Sequence, residues 1–137
     1  MQVLLFRLGE ELYGLEVAKI QEVVDSPVLY YIPRASEHFL GAINFHGIIL
    51  PVLDLADYLG FTRHQRDNRV IVLVSDLCSL ALAVTSVGKI VTCDPDALLP
   101  LQQDRQEACH IRAVLSRDEE MINLLDSARL MASLEKT

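Results

Sequence analysis

The sequence predicts a mainly β protein in which two small barrels, produced by an internal duplication, share one aliphatic core. Two observations support this: the chain repeats its own apolar pattern, and its apolar residues are aliphatic. The 137 residues are 51% hydrophobic but only 6% aromatic, and tryptophan is absent. Such a core favours strands, because β-branched side chains pack well on a pleated surface. Each half is short for an independent core, so we expect the halves to share one.

The repeat consists of two pairs of matching segments. Residues 3–20 reappear 67 positions later as 70–87, and residues 50–56 match 122–128 at an offset of 72. Self-similarity at so long a period indicates two related units, which a pseudo-twofold axis would relate. We therefore treat residues 1–137 as one domain. Its predicted parts are subdomain one at about 3–61, a polar linker at about 62–69 and subdomain two at about 70–134.

Turn residues divide the first half into short strands. The predicted strands are 2–8, 12–17, 28–32, 41–45 and 48–53. Residues 17–24 are either a strand or a short helical turn followed by a strand, and 36–40 predict one turn of helix. His46-Gly47 forms a tight turn, since glycine tolerates positive φ. Pro51 lacks a backbone donor and suggests an edge strand or a bulge. A short helix is expected at 55–59, ended by Gly60.

The second half repeats this order. Predicted strands are 70–75, 79–85, 89–92, 110–115 and 121–125, with a largely irregular segment at 94–107 and a closing helix at 127–134. Asp54 and Asp126 occupy equivalent places in the two halves, each after an apolar strand and before a helix. Paired carboxylates can perform acid–base catalysis, but this position is typical of a helix N-cap, and we expect caps.

Charge and composition exclude several classes of protein. The net charge of −7 opposes binding to nucleic acid and to anionic lipid. No apolar run reaches the length of about 18 residues that a membrane-spanning helix needs, so direct membrane insertion is not expected. The first strand begins without a basic leader, which predicts a cytoplasmic protein. Cys78, Cys93 and Cys109 are odd in number and widely spaced, as expected of reduced thiols.

No pattern indicates catalysis, a metal or a cofactor. Histidines and cysteines lack ligand spacing, and the glycines form no phosphate-binding motif. The apolar fraction exceeds what a domain of this size is expected to bury, which favours protein-binding surfaces instead. We therefore expect function to lie in the surface.

Several stretches resemble the CheW-like domain family, the coupling proteins of bacterial chemosensory arrays. The strongest segments are residues 6–23, 32–35, 39–55 and 59–60, which include Gly41-Ala42-Ile43-Asn44 and Gly47-Ile48-Ile49-Leu50-Pro51-Val52-Leu53-Asp54-Leu55, and the weaker ones are 70–91 and 111–130. The similarity covers essentially the whole chain. It implies two SH3-like barrels around a shared core.

The resemblance also implies a function without catalysis. In this family an adaptor links the cytoplasmic tip of methyl-accepting chemoreceptors to a CheA-type histidine kinase. One subdomain meets the kinase regulatory domain, and the groove between the barrels takes the receptor helix. Ile20, Glu22, Gly41 and His46 fall on family positions associated with partner binding. Ile20 is equally compatible with a core strand, and Gly41 with a backbone position that needs no side chain.

Three positions depart from the family pattern. His46 stands where arginine is usual, Thr85 replaces an aspartate and Ala113 replaces a glycine. Histidine is largely neutral at cytoplasmic pH, so a charge-assisted contact at position 46 would be weakened. A scaffold for another chemosensory kinase system, controlling pili or development, is therefore one alternative. A β-barrel that binds a small ligand or an oligonucleotide is the second, and an enzyme is the third.

Overall fold

The computed structural model describes residues 1–33, 35–62, 65–73, 80–100 and 110–135, which form two β-sheets and two α-helices. The strands are β1 (Gln2–Leu8), β2 (Glu11–Glu16), β3 (Ile20–Asp25), β4 (Phe39–Phe45), β5 (Ile48–Asp54), β6 (Arg69–Leu73), β7 (Ala81–Ala83), β8 (Ser86–Thr92), β9 (Leu98–Pro100), β10 (Ile111–Arg117) and β11 (Glu120–Leu125). The helices are α1 (Leu55–Tyr58) and α2 (Ser127–Glu135), and 3₁₀ turns occupy Val17–Lys19 and Pro95–Ala97.

Each sheet contains strands from both halves of the repeat. The six-stranded sheet has the order β8-β1-β2-β11-β10-β9, and the five-stranded sheet has the order β3-β6-β7-β5-β4. Strand pairing therefore crosses the division predicted at residues 62–69. The reason is an exchange of hairpins: β1 and β2 join strands of the second repeat, while β6 and β7 join strands of the first.

Strand register shows the duplication directly. β1 pairs with β8 so that Phe6 opposes Val87, and β6 pairs with β3 so that Leu73 opposes Ile20. Leu73 lies 67 positions after Phe6, and Val87 lies 67 positions after Ile20. The parallel pairings β2–β11 and β7–β5 correspond in the same way. Each repeat thus contributes its first hairpin to the sheet of the other.

The internal strands β1 and β6, each second from an edge of its sheet, are buried on both faces. In β1, Val3 and Leu5 point into one apolar cluster, whereas Leu4 and Phe6 join a second cluster that includes residues of both sheets and both helices. β6 alternates in the same way. The shared aliphatic core is therefore confirmed. This double burial also accommodates much of the apolar composition that the sequence suggested would remain at the surface.

Each sheet closes into a barrel, as predicted. Val24 on β3 packs into the same cluster as Leu40 and Phe45 on β4, although β3 and β4 are the opposite edges of the five-stranded sheet. In the six-stranded sheet, Leu98 on β9 and Val91 on β8 share a cluster in the same manner. The interior of each barrel is thus a core of its own, beside the shared one.

The predicted helix caps are confirmed in both repeats. Asp54 and Asp126 accept hydrogen bonds from backbone N–H groups three residues further on, at 3.2 and 3.1 Å. Their own backbone N–H groups donate to the carbonyls of His38 and His110, at 2.9 and 2.8 Å. Each carboxylate therefore satisfies a free donor at the start of a helix, and the capping interpretation holds over the catalytic one.

The helices meet through a partly buried polar contact. The Tyr58 hydroxyl lies 2.8 Å from Ser133 Oγ, and His110 Nε2 lies 3.1 Å from the same oxygen. Burial lowers the pKa of His110, because a charged imidazole is poorly solvated there. α2 is thereby attached to α1, and the two repeats are joined across the shared core.

Three local predictions were wrong. Residues 28–32 make a single bridge between Tyr30 and Ala42 rather than a strand, since the flanking prolines lack donors. Residues 36–40 are not helical, because β4 begins at Phe39. β5 is an internal strand, so the edge alternative for Pro51 is wrong, although the β4–β5 register does shift beside it, between Phe39 and Gly41. Pro51 is tolerated because the parallel pairing of β5 with β7 starts only at Val52.

Some predicted features lie outside the described residues. They are Arg34, the linker residues 63–64, the strand ends at 74–75 and 79, the irregular segment from 101 to 107, Cys78 and Cys109. Cys93 is described, and it is a buried free cysteine.

Asp67 attaches the segment before β6 to the six-stranded sheet. Its carboxylate accepts a hydrogen bond from the Val87 backbone N–H at 2.8 Å, and it accepts two from the Arg69 side chain, each at 3.0 Å. The Arg69 guanidinium lowers the pKa of Asp67 from 3.8 to about 2. The ionised carboxylate therefore stabilises the contact between the two barrels.

This carboxylate predicts an acid-sensitive step in stability. Because the folded state holds the pKa of Asp67 below its unfolded value of 3.8, its contribution is complete above pH 4 and is lost as the pH falls towards 2. Solvent screening at the partly exposed Arg69 limits it to about 1 kcal/mol. Urea unfolding of Asp67→Asn should show a smaller loss of stability between pH 4 and 2 than the wild type shows. Parallel curves for the two proteins would contradict this assignment.

Candidate protein-binding surface

Glu22 and His46, two of the four predicted binding residues, lie side by side. His46 Nε2 is 3.7 Å from Glu22 Oε1, and both side chains are largely exposed. Glu22 belongs to β3 and His46 to the turn between β4 and β5, at opposite edges of the sheet. Closure of the five-stranded barrel is what brings them together.

The β4–β5 turn fixes the direction of His46. His46 and Gly47 both have positive φ, 51° and 86°. The Gly47 backbone N–H donates to Asn44 Oδ1 at 2.8 Å, and the His46 ring packs against Phe45 with a centroid separation of 4.4 Å. The imidazole is therefore presented outward from an ordered turn.

The other two predicted residues lie away from this pair. Ile20 begins β3 and packs, half-buried, against the shared core. Gly41 is buried inside β4 with a φ of 149°, and an added Cβ would lie 2.6 Å from the Tyr30 carbonyl oxygen. Gly41 thus permits a close approach of the Tyr30 backbone. These contacts agree with Ile20 as a core strand residue and with Gly41 as a backbone position that needs no side chain.

Ile48 and Ile49 were missed by the sequence reasoning. They follow the turn directly and are 55% and 65% exposed. Adjacent residues in a strand face opposite sides, so two neighbouring isoleucines at a strand start already indicate that one faces solvent. We call Glu22, His46, Ile48 and Ile49 the hairpin-tip surface; because Ile48 and Ile49 point to opposite sides of the strand, this surface wraps around the tip. It combines two exposed aliphatic side chains with one acidic and one imidazole group.

A second exposed apolar segment runs from Val28 to Tyr31. Its four side chains are all exposed, Tyr31 most of all, at 87%. The backbone is tied to β4 by the Tyr30–Ala42 bridge, with two hydrogen bonds of 2.8 Å. Exposed aromatic side chains on a tethered backbone are typical of contact residues.

The duplication gives the six-stranded barrel an equivalent tip with different chemistry. Register and the offsets of 67 and 72 place Lys89 where Glu22 stands, Asp118 where His46 stands, Glu120 where Ile48 stands and Met121 where Ile49 stands. Asp118 repeats the positive φ of His46. The acidic position of one tip is thus basic in the other, so the two ends of the molecule differ in the partners they can accept.

Thr85 and Ala113, the two other departures from the family pattern, have structural contacts. Thr85 Oγ1 accepts a hydrogen bond from the Gly9 backbone N–H at 2.9 Å. It thereby supports the β1–β2 turn. Ala113 is buried opposite Leu124.

The described residues offer no metal centre and no membrane span. No three of their His, Cys, Asp and Glu side chains are grouped so that they could hold a metal ion. No helix in this part of the chain is long and apolar enough to cross a membrane.

Two interlocked, closed barrels with a shared core define the class of this protein: a duplicated SH3-like barrel domain. The model of the CheW-like domain family matches residues 2–135, and the chain belongs to this family. The crystal structure of the scaffolding protein TtCheW from Thermoanaerobacter tengcongensis superimposes with a TM-score of 0.79 at 27% identity. That match covers 90% of this chain and 86% of TtCheW.

Curated relatives agree with this assignment. A probable chemotaxis protein CheW of Rhizobium etli is 26% identical, over 98% of this chain and 89% of the relative. Protein FrzA of Myxococcus xanthus is 30% identical, over 92% of this chain and 82% of the relative. The chain is therefore similar to these proteins along nearly its whole length.

Proposed function

We propose that this protein is a cytoplasmic, non-enzymatic adaptor that couples methyl-accepting chemoreceptors to a CheA-type histidine kinase. The observation that carries the proposal is the hairpin-tip surface on a domain of the CheW-like family. When a partner covers the exposed isoleucines at this turn, burial of their apolar area favours binding. The charged neighbours then select the partner.

The kinase regulatory domain is the proposed partner of the hairpin-tip surface. Ile48 and Ile49 act as apolar anchors, and Glu22 and His46 act as polar groups at the rim. Anchors of this kind at the centre of an interface contribute most of the binding free energy.

Family resemblance implies that the receptor helix binds between the barrels, whereas we propose that it binds beside the five-stranded barrel. An open groove of about 700 Å³ lies there, with Leu29, Leu40 and Val70 among its apolar residues and Arg66 and Asp67 among its polar ones. An amphipathic helix presents an apolar stripe with charged residues on either side, and it is complementary to such a groove.

Calorimetric titration with the regulatory domain of each CheA-type kinase of the same genome tests the adaptor role. We expect one of them to bind with a micromolar Kd, or about −8 kcal/mol. Ile49→Asp should weaken that binding at least about 30-fold, since it places a carboxylate in an apolar contact. Met121→Asp is the matched control, because Met121 is the exposed equivalent of Ile49 on the other tip, and it should change Kd less than about threefold.

Position 46 is tested in the same titration. His46→Arg should lower Kd, because arginine adds a permanent charge and a planar set of donors to the rim. An equal or higher Kd would count against a direct contact at position 46. If no kinase domain binds the wild type, the adaptor proposal fails while the family assignment stands.

A further inference from the structure

A half-open cavity of about 310 Å³ lies at the mouth of the six-stranded barrel, and the adaptor function does not use it. β1, β2, β8 and the β10–β11 hairpin surround it. Its apolar side includes Leu5, Phe6, Leu12 and Ile122, and its polar side includes Arg7, Lys89 and Arg117. This volume lies at the lower end of the range for small-molecule sites.

The internal duplication explains why the cavity exists. In the five-stranded barrel, Phe45 stands directly before the β4–β5 turn and packs against the interior cluster that contains Leu50 and Val72. The equivalent residue before the β10–β11 turn is Arg117, whose side chain is 36% exposed. One barrel is thus closed by a phenyl ring, and the other has an arginine at that place.

The cavity lies over the residues that such a ring would cover. Leu5 and Ile122, which line it, are the equivalents of Val72 and Leu50 beneath Phe45. Gly88 on the wall adds no side chain, and its backbone approaches β1 so closely that a Cβ would lie 2.9 Å from the Leu5 carbonyl oxygen. The space is therefore suited to a ring or a branched alkyl group.

Charge at the mouth favours an anion. Three cationic side chains face two carboxylates there, in a chain whose net charge is −7. Lys89 has no ion pair with any residue in the described ranges. Arg117 lies 3.4 Å from Asp118, but the Asp118 side chain is 82% exposed, so this ion pair is weak.

We propose that this cavity binds a small carboxylate with an aryl or branched-alkyl body. The apolar body takes the place that Phe45 occupies in the other barrel, and the carboxylate lies between Arg117 and Lys89. Guanidinium and ammonium groups both donate to carboxylates, and burial of the apolar body adds to the affinity.

Titration with 3-phenylpropionate, followed by amide chemical shifts and calorimetry, tests the site. Saturable shifts should be confined to β1, β8 and residues 117–122, with a Kd below about 1 mM. The neutral isostere 3-phenylpropanamide should bind at least about tenfold more weakly, because it lacks the charge that the cations recognise. Neither readout involves the kinase, so this test is independent of the proposed function.

Two variants and one control locate the binding. Arg117→Phe introduces the phenyl ring that Phe45 provides in the other barrel. Lys89→Glu introduces the acidic group that Glu22 provides there. Each substitution should weaken binding of 3-phenylpropionate at least about tenfold. Lys19→Glu makes the same charge change on an exposed residue outside the cavity and should leave Kd within about twofold. The proposal is overturned if shifts do not saturate by about 10 mM, if the amide binds equally well, or if Arg117→Phe binds like the wild type.

Discussion

Replacing Gly41 with alanine is expected to lower the free energy of unfolding by about 3 kcal/mol. The added Cβ would lie 2.6 Å from the Tyr30 carbonyl oxygen, and the φ of 149° is unfavourable for any residue with a side chain. Because the obstructing atom belongs to the backbone, no rotamer change can relieve the clash. The paired hydrogen bonds between Tyr30 and Ala42 would therefore be stretched or lost.

Gly47→Ala is the matched control for this substitution. Gly47 also has a positive φ, 86°, but no atom lies within 4 Å of an added Cβ. Gly47→Ala should lower the free energy of unfolding by about 1 kcal/mol, from the unfavourable backbone conformation alone. Urea denaturation of both variants measures the difference. Equal losses would mean that the contact with residues 28–32 does not stabilise the protein.

Replacing Leu82 with alanine is expected to cost about 3 to 4 kcal/mol and to destabilise both barrels together. Leu82 lies on β7, is completely buried and belongs to the shared core. The loss of stability is the sum of the transfer free energy of the removed side-chain atoms and the free-energy cost of the cavity that remains. Since each sheet contains a hairpin of the other repeat, neither barrel retains a complete sheet when the other unfolds.

Hydrogen exchange and calorimetry would show this coupling. Amides of β10 in the six-stranded sheet should lose as much protection in Leu82→Ala as those of β5, which pairs with β7. Leu99→Ala, at a residue that is 51% exposed, should change stability by less than about 0.5 kcal/mol. Two separate thermal transitions in the wild type would refute the shared unfolding unit.

Several features were predictable because they depend on neighbours along the chain. The hairpin of β1 and β2 follows from two apolar runs around a turn, and the caps at Asp54 and Asp126 follow from the change from strand to helix. The duplication was visible for the same reason, since equivalent strands carry the same apolar pattern. Family resemblance then indicated SH3-like barrels.

Other features could be recognised only from the tertiary structure. Repeated patterns do not indicate which strand pairs with which, so the exchange of hairpins between the repeats was missed. Pro51 appeared to mark an edge, yet its strand is internal because the pairing with β7 starts one residue later. Residues 28–32 have a strand-like composition but only one bridging pair.

The candidate surface shows the same division. Glu22 and His46 were selected separately, through resemblance, and their contact depends on barrel closure. Ile48 and Ile49 have the composition of core residues, and only their place beside the turn leaves them exposed.

The duplication, the strand content, the aliphatic core and the two helix caps could be predicted from the sequence, because alternation and capping depend on residues a few positions apart. The partner of each strand, the hairpin-tip surface and the cavity over Leu5 and Ile122 could be found only in the folded protein. These features arise where residues distant in sequence meet, and Phe45 and Arg117 show how equivalent positions then acquire different surroundings.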